Sequence, residues 1–119
     1  MFKELSEIEV YTIAESFSND IWQLVIKWDT FSKDTVGKQL VRAADSISAN
    51  IAESHGRFHY RDKSKFGYYA RGSYEETKSW LRKAIKRNLF TKDQSKDLIA
   101  KLEAIGPRLN ALINSYKQS

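Results

Sequence analysis

The sequence of 119 residues contains no cysteine, one proline and five glycines. Without cysteine, the chain can form no disulfide scaffold, thiolate zinc site or cysteine nucleophile. An all-β domain needs a turn about every ten residues, and this sequence has too few glycines and prolines for that. No apolar run approaches the ~18 residues of a membrane-spanning helix, and the N-terminus lacks a signal-peptide pattern. We therefore expect one soluble, cytoplasmic domain over residues 1–119.

Apolar residues instead recur every three or four positions in four segments, which predicts four amphipathic helices. The expected ranges are about 7–28, 33–55, 62–87 and from 91 towards the C-terminus. No segment alternates with a period of two, so no sheet is expected. Long helices with short connections predict an all-α fold, an antiparallel up-down-up-down four-helix bundle.

Local signals mark the helix ends. Ser32 or Asp34 is expected to cap the start of the second helix. Gly56 is expected to end it in the left-handed conformation that glycine adopts at low cost. Asn88, which tolerates a positive φ, is expected to close the third helix.

The last helix combines a strong start with an interruption. Thr91 and Gln94 have capping-box spacing, in which each side chain satisfies the other residue's backbone N–H. Pro107 removes one helical hydrogen bond and crowds the carbonyl of Glu103. Because the apolar seam continues in phase through Gly106-Pro107, we predict a kink and not a stop.

Charge is unevenly distributed along the chain. Residues 1–53 carry five cations and nine acids, whereas residues 54–119 carry 15 cations and six acids. No acid occurs between Lys78 and Arg87, and Arg57 to Arg61 interleaves cations with aromatic rings, a composition suited to phosphate contact and base stacking. A solvated helix face is the alternative interpretation. The candidate nucleic-acid contacts are Arg57, Arg61, Lys78, Arg82, Lys83, Lys86 and Arg87, with Phe58 or Tyr60 for stacking.

Other polar residues have weaker functional interpretations. Asn50, Glu53, Ser73 and Glu76 could be a catalytic carboxylate cluster, but we expect a partly buried network that fixes helix register. His55 and His59 have a metal-ligand spacing, yet Gly56 should end the helix between them. We therefore expect no metal, no cofactor and no catalytic residue.

Several aromatic residues do not all fall on the apolar stripes. They are Tyr11, Trp22, Tyr68 and Phe90. Four small helices have little room for all the aromatic side chains, so this surplus indicates a subunit interface. Core filling in an irregular bundle is the competing explanation.

Two blocks carry a family resemblance. Residues 39–57, Q-L-V-R-A-A-D-S-I-S-A-N-I-A-E-S-H-G-R, and residues 70–76, A-R-G-S-Y-E-E, resemble the signature of a bacterial four-helix-bundle family. That family includes proteins encoded in intervening sequences of large-subunit ribosomal RNA genes and the accessory variability determinant of diversity-generating retroelements. Ser48 departs from the family pattern, which has proline there, and Ser54 stands where glycine is frequent.

The resemblance implies a ring, typically a homopentamer, with a basic surface. Retroelement members are thought to bind RNA and a reverse transcriptase. No catalytic residue carries over. The residues matching family positions are interpreted as structural or interface residues, with Arg57 as the exception: Asn50, Glu53, Gly56, Arg57, Gly72, Ser73 and Glu76.

Two functional hypotheses follow. The first is a non-enzymatic, oligomeric protein that binds nucleic acid, RNA in preference to DNA, through the third helix and the joint before it. The second is a protein-interaction scaffold whose basic face docks an acidic partner such as a reverse transcriptase. No membrane partner is expected.

Overall fold

A computed structural model describes residues 3–118 of the chain. It contains four long helices, namely α1 (Glu9–Val25), α2 (Lys38–Gly56), α3 (Tyr60–Lys86) and α4 (Lys92–Ser115). Short 3-10 turns, Leu5–Glu7 and Tyr116–Gln118, flank them. No strand occurs in the described part of the chain. The predicted four-helix bundle is confirmed, with extents of 47 × 23 × 21 Å.

Contacts between helices show their relative direction. Glu9, at the start of α1, pairs with Arg108 near the end of α4, and Asp20 pairs with Lys101 one to two turns earlier in α4. Residue numbers rise along one helix as they fall along the other, so α1 and α4 are antiparallel.

The other three neighbouring pairs show the same reversal. Each has one contact near the connecting loop and another further along both helices. Val25 lies beside Gly37 and Ser18 beside Asp45 for α1 and α2, and Gly67 lies beside Ile113 and Tyr74 beside Gly106 for α3 and α4. For α2 and α3, Arg57 contacts Phe66, and Ser46 and Glu76 line the same small cleft.

The predicted apolar stripes form the core. Its largest fully buried apolar side chains come from α1, α2 and α4. Burying one such side chain contributes about 1.5–3 kcal/mol to stability. The seam of α4 stays buried on both sides of Pro107, and the helix continues through it as predicted. These largest fully buried apolar residues are Phe17, Ile21, Leu40, Ile47, Ile51, Leu98, Ile105 and Leu109.

The predicted cap of the second helix is wrong. Helical backbone begins at Thr30, and Asp29 is the N-cap, accepting hydrogen bonds from the Ser32 amide at 3.0 Å and the Ser32 hydroxyl at 2.8 Å. Asp29 has the extended backbone that an N-cap requires, whereas Ser32 is already helical. A π-helical turn, Lys33–Gly37, then leads into α2.

The predicted left-handed Gly56 is also wrong. No glycine in the described residues has a positive φ, and α2 ends because Arg57 is extended at φ −83° and ψ 146°. The Lys63 ammonium donates to the carbonyls of Ser54 and His55 at 3.3 and 3.1 Å. Lys63 thus satisfies helix-end carbonyls that a left-handed glycine cap would otherwise serve.

Two other predicted ends are confirmed. Asn88 has a φ of 59°. Thr91 and Gln94 form the capping box, with amide-to-side-chain distances of 3.1 and 2.9 Å. Both signals depend only on neighbouring residues, which explains why the sequence alone revealed them.

Of the four aromatic residues expected off the stripes, Phe90 belongs to the core. It is buried, with its ring centroid 5.1 Å from that of Trp28 in an edge-on arrangement. Trp22 and Tyr68 are each half exposed. No helix among residues 3–118 is long and apolar enough to cross a membrane.

Alanine substitutions at two glycines should change the stability of the protein in opposite directions. A Cβ on Gly37 would lie 2.7 Å from Val25 Cγ1 and 3.3 Å from the Ser32 carbonyl oxygen, whereas a Cβ on Gly72 meets nothing within 4 Å. Chemical denaturation should show that Gly37→Ala lowers the free energy of unfolding by about 1–3 kcal/mol through overpacking. Gly72→Ala should raise it by up to about 1 kcal/mol, because Gly72 lies inside α3. The same sign for both variants would contradict this packing.

The Asp45 carboxyl should make part of the protein's stability depend on pH. Partial burial raises the pKa of its carboxyl, and the nearby Ser18 hydroxyl opposes this effect only in part. A raised folded-state pKa means that the ionised form costs stability at neutral pH, and the cost disappears as pH falls below the unfolded pKa. Asp45→Asn should therefore stabilise the protein at pH 7 by less than about 1 kcal/mol. Denaturation at falling pH should show the gain shrinking; an equal gain at about pH 3 would contradict the assignment.

Candidate nucleic-acid interface

The predicted cations lie in two clusters at opposite ends of α3. The joint cluster comprises Arg57, Arg61 and Lys65, and the terminal cluster comprises Lys78, Arg82, Lys83, Lys86 and Arg87. At about 1.5 Å per helical residue, Arg61 and Arg82 are separated by roughly 30 Å. The structure therefore presents two basic regions.

In the joint cluster, Arg57 is already engaged within the chain. Its guanidinium is 2.9 Å from a Glu53 carboxylate oxygen and 4.5 Å from the centre of the Phe66 ring. Both members of the ion pair are nearly half exposed, and such pairs contribute at most about 1 kcal/mol. Arg61 makes no ion pair within residues 3–118.

Aromatic rings surround the joint cluster. Phe58 is 88% exposed, and its ring packs edge-on against His59 at 5.1 Å. Tyr60 and Tyr69 are each about half exposed, and the Lys65 ammonium lies 5.9 Å from the Tyr69 ring centre. The predicted mixture of cations and rings is therefore present at the surface.

The terminal cluster occupies the last turns of α3. The Lys78 ammonium lies 3.7 Å from a Glu75 carboxylate oxygen, and the Lys83 ammonium lies 4.4 Å above the Trp80 ring centre. Arg82, Lys86 and Arg87 make no ion pair within the described residues. Lys83 makes none either, so four of the five cations are not neutralised by an acid of the described chain.

Cations on α4 are paired differently. Lys101 is 2.7 Å from an Asp20 carboxylate oxygen and 2.9 Å from one of Asp97, and these hydrogen bonds raise the pKa of the Lys101 ammonium. Arg108 pairs with Glu9. Acids of α1 thus neutralise Lys101 and Arg108 of α4 and pair with no cation of α3 in the described residues.

The predicted polar network does not form between helices. Each hydrogen bond or ion pair that its four members make in the described residues stays on one helix or at its end, because the two carboxylates are exposed. The Asn50 amide bonds to the Ser46 carbonyl, Glu53 pairs with Arg57, the Ser73 carbonyl accepts from the Thr77 hydroxyl, and Glu76 accepts from the Trp80 indole. Gly56 and Gly72 are exposed with open space beside them.

A groove of about 860 Å³ between α3 and α4 was not apparent from the sequence. Lys78, Arg82 and Lys86 line its α3 side, and Ile99 of α4 contributes apolar surface. Ile99 is 42% exposed and lies off the apolar seam of α4, next to Leu98. Its isolated position gave the only sequence signal, and a single exposed isoleucine is common on protein surfaces.

The described residues contain no cluster of potential metal ligands. Among residues 3–118, no three His, Cys, Asp or Glu side chains come together as metal ligands could. His55 lies in the last turn of α2, and His59 lies in the extended joint after it.

Comparison with known proteins identifies the family. Residues 6–111 match the family described as 23S rRNA-intervening sequence protein. The chain belongs to that family. The resemblance carried by residues 39–57 and 70–76 is thereby confirmed.

The fold of this 23S rRNA-intervening sequence protein family member has a solved counterpart. A protein of unknown function from the S23 ribosomal protein family of Bacteroides thetaiotaomicron superposes with a TM-score of 0.81. The two are 24% identical, and the match covers 88% of this chain and 95% of the other. This likeness shows the shared fold. No curated protein matches the chain significantly.

Proposed function

We propose that this member of the 23S rRNA-intervening sequence protein family is a non-enzymatic, oligomeric protein that binds structured RNA through the two clusters on α3. The observation that carries the proposal is the terminal cluster, where Arg82, Lys86 and Arg87 are exposed without an ion pair in the described chain. The family's link to 23S ribosomal RNA genes supports an RNA context.

The charge pattern of the terminal cluster has an energetic cost in the isolated chain. Lys78, Arg82 and Lys86 follow one another at intervals of four residues and share one side of the helix. Like charges at this spacing destabilise a helix by a few tenths of a kcal/mol per pair. A bound phosphate backbone removes that repulsion and releases counterions, which favours association.

The joint cluster adds a different kind of contact. Phe58 offers an almost fully exposed ring, and unpaired bases stack on such rings in loops and bulges of RNA. Arg57 can exchange its weak ion pair with Glu53 for a phosphate. Because the clusters are roughly 30 Å apart, one folded RNA would contact them with separate segments of its backbone.

Exposed apolar side chains support self-association. Trp22 near the end of α1 is half exposed, and Phe31 in the next segment is 77% exposed. Large exposed aromatic residues are enriched at subunit interfaces. The family resemblance implies a ring, typically a homopentamer, and we propose that state for this chain.

Charge reversal in the terminal cluster tests RNA binding. Arg82→Glu/Lys86→Glu should weaken binding to a labelled ribosomal RNA fragment in fluorescence anisotropy. The slope of log K against log salt should become shallower by about 0.7–0.9 per lost phosphate contact. Circular dichroism should show unchanged folding, because both side chains are exposed.

The matched control for this experiment is Lys3→Glu/Lys27→Glu, which changes net charge equally. Both lysines are exposed, lie beyond the two ends of α1 and belong to neither cluster. The control should retain much more affinity than the α3 variant. Equal losses in both variants, or wild-type binding that is insensitive to salt, would contradict the proposed interface.

Native mass spectrometry tests the oligomer. The wild-type protein should have five times the mass of one chain, and Trp22→Glu/Phe31→Glu should shift it towards the monomer, because a charge buried in an apolar interface is strongly unfavourable. Circular dichroism checks that the variant remains folded. A wild-type protein that stays monomeric at micromolar concentration would contradict self-association.

A further inference from the structure

The groove between α3 and α4 has one basic edge. It extends along α3 from Tyr74 to Lys86, about 18 Å at 1.5 Å per residue. Lys78, Arg82 and Lys86 follow that edge at successive turns. Lys78 is close to Glu75, whereas Arg82 and Lys86 make no ion pair in the described chain. Glu75 on the same edge and Glu103 on the α4 side also line the groove. The unpaired positive charge of the groove is therefore carried by Arg82 and Lys86.

The floor of the groove is aliphatic. Leu81 and Ile85 of α3 and Ile99 and Leu102 of α4 provide it. Leu81 and Leu102 are buried in the core, whereas Ile99 is 42% exposed. Ile99 is therefore the apolar group most available to a ligand. Tyr74 also lines the groove, but it is only 7% exposed and the Lys78 ammonium lies 5.5 Å from its ring centre. The aliphatic side chains bury apolar surface well but offer no ring face on which a base could stack.

This combination has the complementary pattern of an amphipathic helix. Apolar residues at helical spacing would cover the aliphatic floor, and acids at intervals of four residues would face the three cations. A helix of about 12 residues matches the length of the basic edge. The joint cluster has exposed rings and no such floor, so it can stack bases of an RNA, whereas the terminal cluster offers an RNA contacts to phosphates.

We propose that the groove between α3 and α4 binds a short, acidic, amphipathic helix of a partner protein. Ile99 is the apolar anchor, and Lys78, Arg82 and Lys86 set the register through their charges. This interaction is independent of RNA binding at the joint cluster. Where the terminal cluster also contacts RNA, the helix and the RNA compete for the same cations.

The test uses designed peptides and the full-length protein. The probe is a fluorescein-labelled peptide of about 14 residues, with leucines along one helical face and three glutamates at intervals of four residues beside them. A permuted peptide of identical composition has no amphipathic face. Fluorescence anisotropy should show that the patterned peptide binds about tenfold or more tightly than the permuted peptide.

Two isoleucine variants separate the groove from general hydrophobicity. Ile99→Gln removes apolar surface from the floor, and Ile26→Gln removes a side chain of nearly equal exposure, 43% against 42%, from the region of α1. Ile99→Gln should weaken peptide binding about fivefold or more, as expected for an anchor residue. Ile26→Gln should leave peptide binding unchanged. Circular dichroism confirms that both variants fold.

Charge variants test the basic edge. Arg82→Glu should weaken peptide binding more than Lys83→Glu, because the Lys83 ammonium lies over Trp80, outside the groove. An uncharged peptide with glutamine in place of glutamate should bind the wild-type protein more weakly than the acidic peptide. Equal binding of the patterned and permuted peptides, or equal effects of the two isoleucine variants, would overturn the proposal.

Parallel measurements distinguish other occupants of the groove. Ile99→Gln should not change affinity for a labelled single-stranded RNA of about 20 nucleotides, since phosphate contacts do not require Ile99. A loss of RNA affinity without a loss of peptide affinity would assign the groove to nucleic acid and overturn the proposal. A change in native mass instead would assign it to a second copy of the chain. If no RNA binds but the peptide results hold, only the proposed RNA function fails.

Discussion

Close packing of α2 against α3 is the constraint on which the rest of the structure depends. These two helices share the most extensive contact in the bundle. Most residues that α3 buries are small, and small side chains let helix axes approach closely. With that face fixed against the core, the long cations of α3 must point outwards, because unpaired charges are costly to bury. The small buried residues of α3 are Gly67, Ala70, Thr77 and Ala84.

The sequence was sufficient for the number, order and packing faces of the helices, because these depend on apolar periodicity within each segment. It was also sufficient for ends governed by neighbouring residues, such as Thr91 with Gln94. It failed at Gly56, where Lys63 reaches back from the next helix to the last carbonyls of α2. It also missed the π-helical turn, where Gly37 packs against Val25 of α1. These features are tertiary contacts that helical periodicity does not encode.

The candidate site, like the fold, was predictable from the sequence only in part. Residue type and spacing revealed the exposed cations of α3, but their grouping along the helix depended on its actual length. The groove depends further on the register of α4. Tyr74 fits against α4 because Gly106 has no side chain, and a Cβ there would lie 2.7 Å from the Tyr74 hydroxyl. That register brings Ile99 beside the basic edge. No periodicity in α4 marks Ile99, since it lies outside the seam.

Bundle geometry also explains why the basic charge of α3 persists. The acids Glu9 and Asp20 of α1 pair with Arg108 and Lys101 of the adjacent α4. Because α1 and α3 each pack against α2 and α4, they occupy diagonal corners of the bundle. Neighbouring axes are about 8–10 Å apart, so diagonal axes are separated by about 13 Å. Physiological salt screens exposed charges beyond about 8 Å. The acids of α1 therefore hardly reduce the potential at Arg82 and Lys86, and the acids that an anionic ligand meets there are Glu75 and Glu103, which line the same groove.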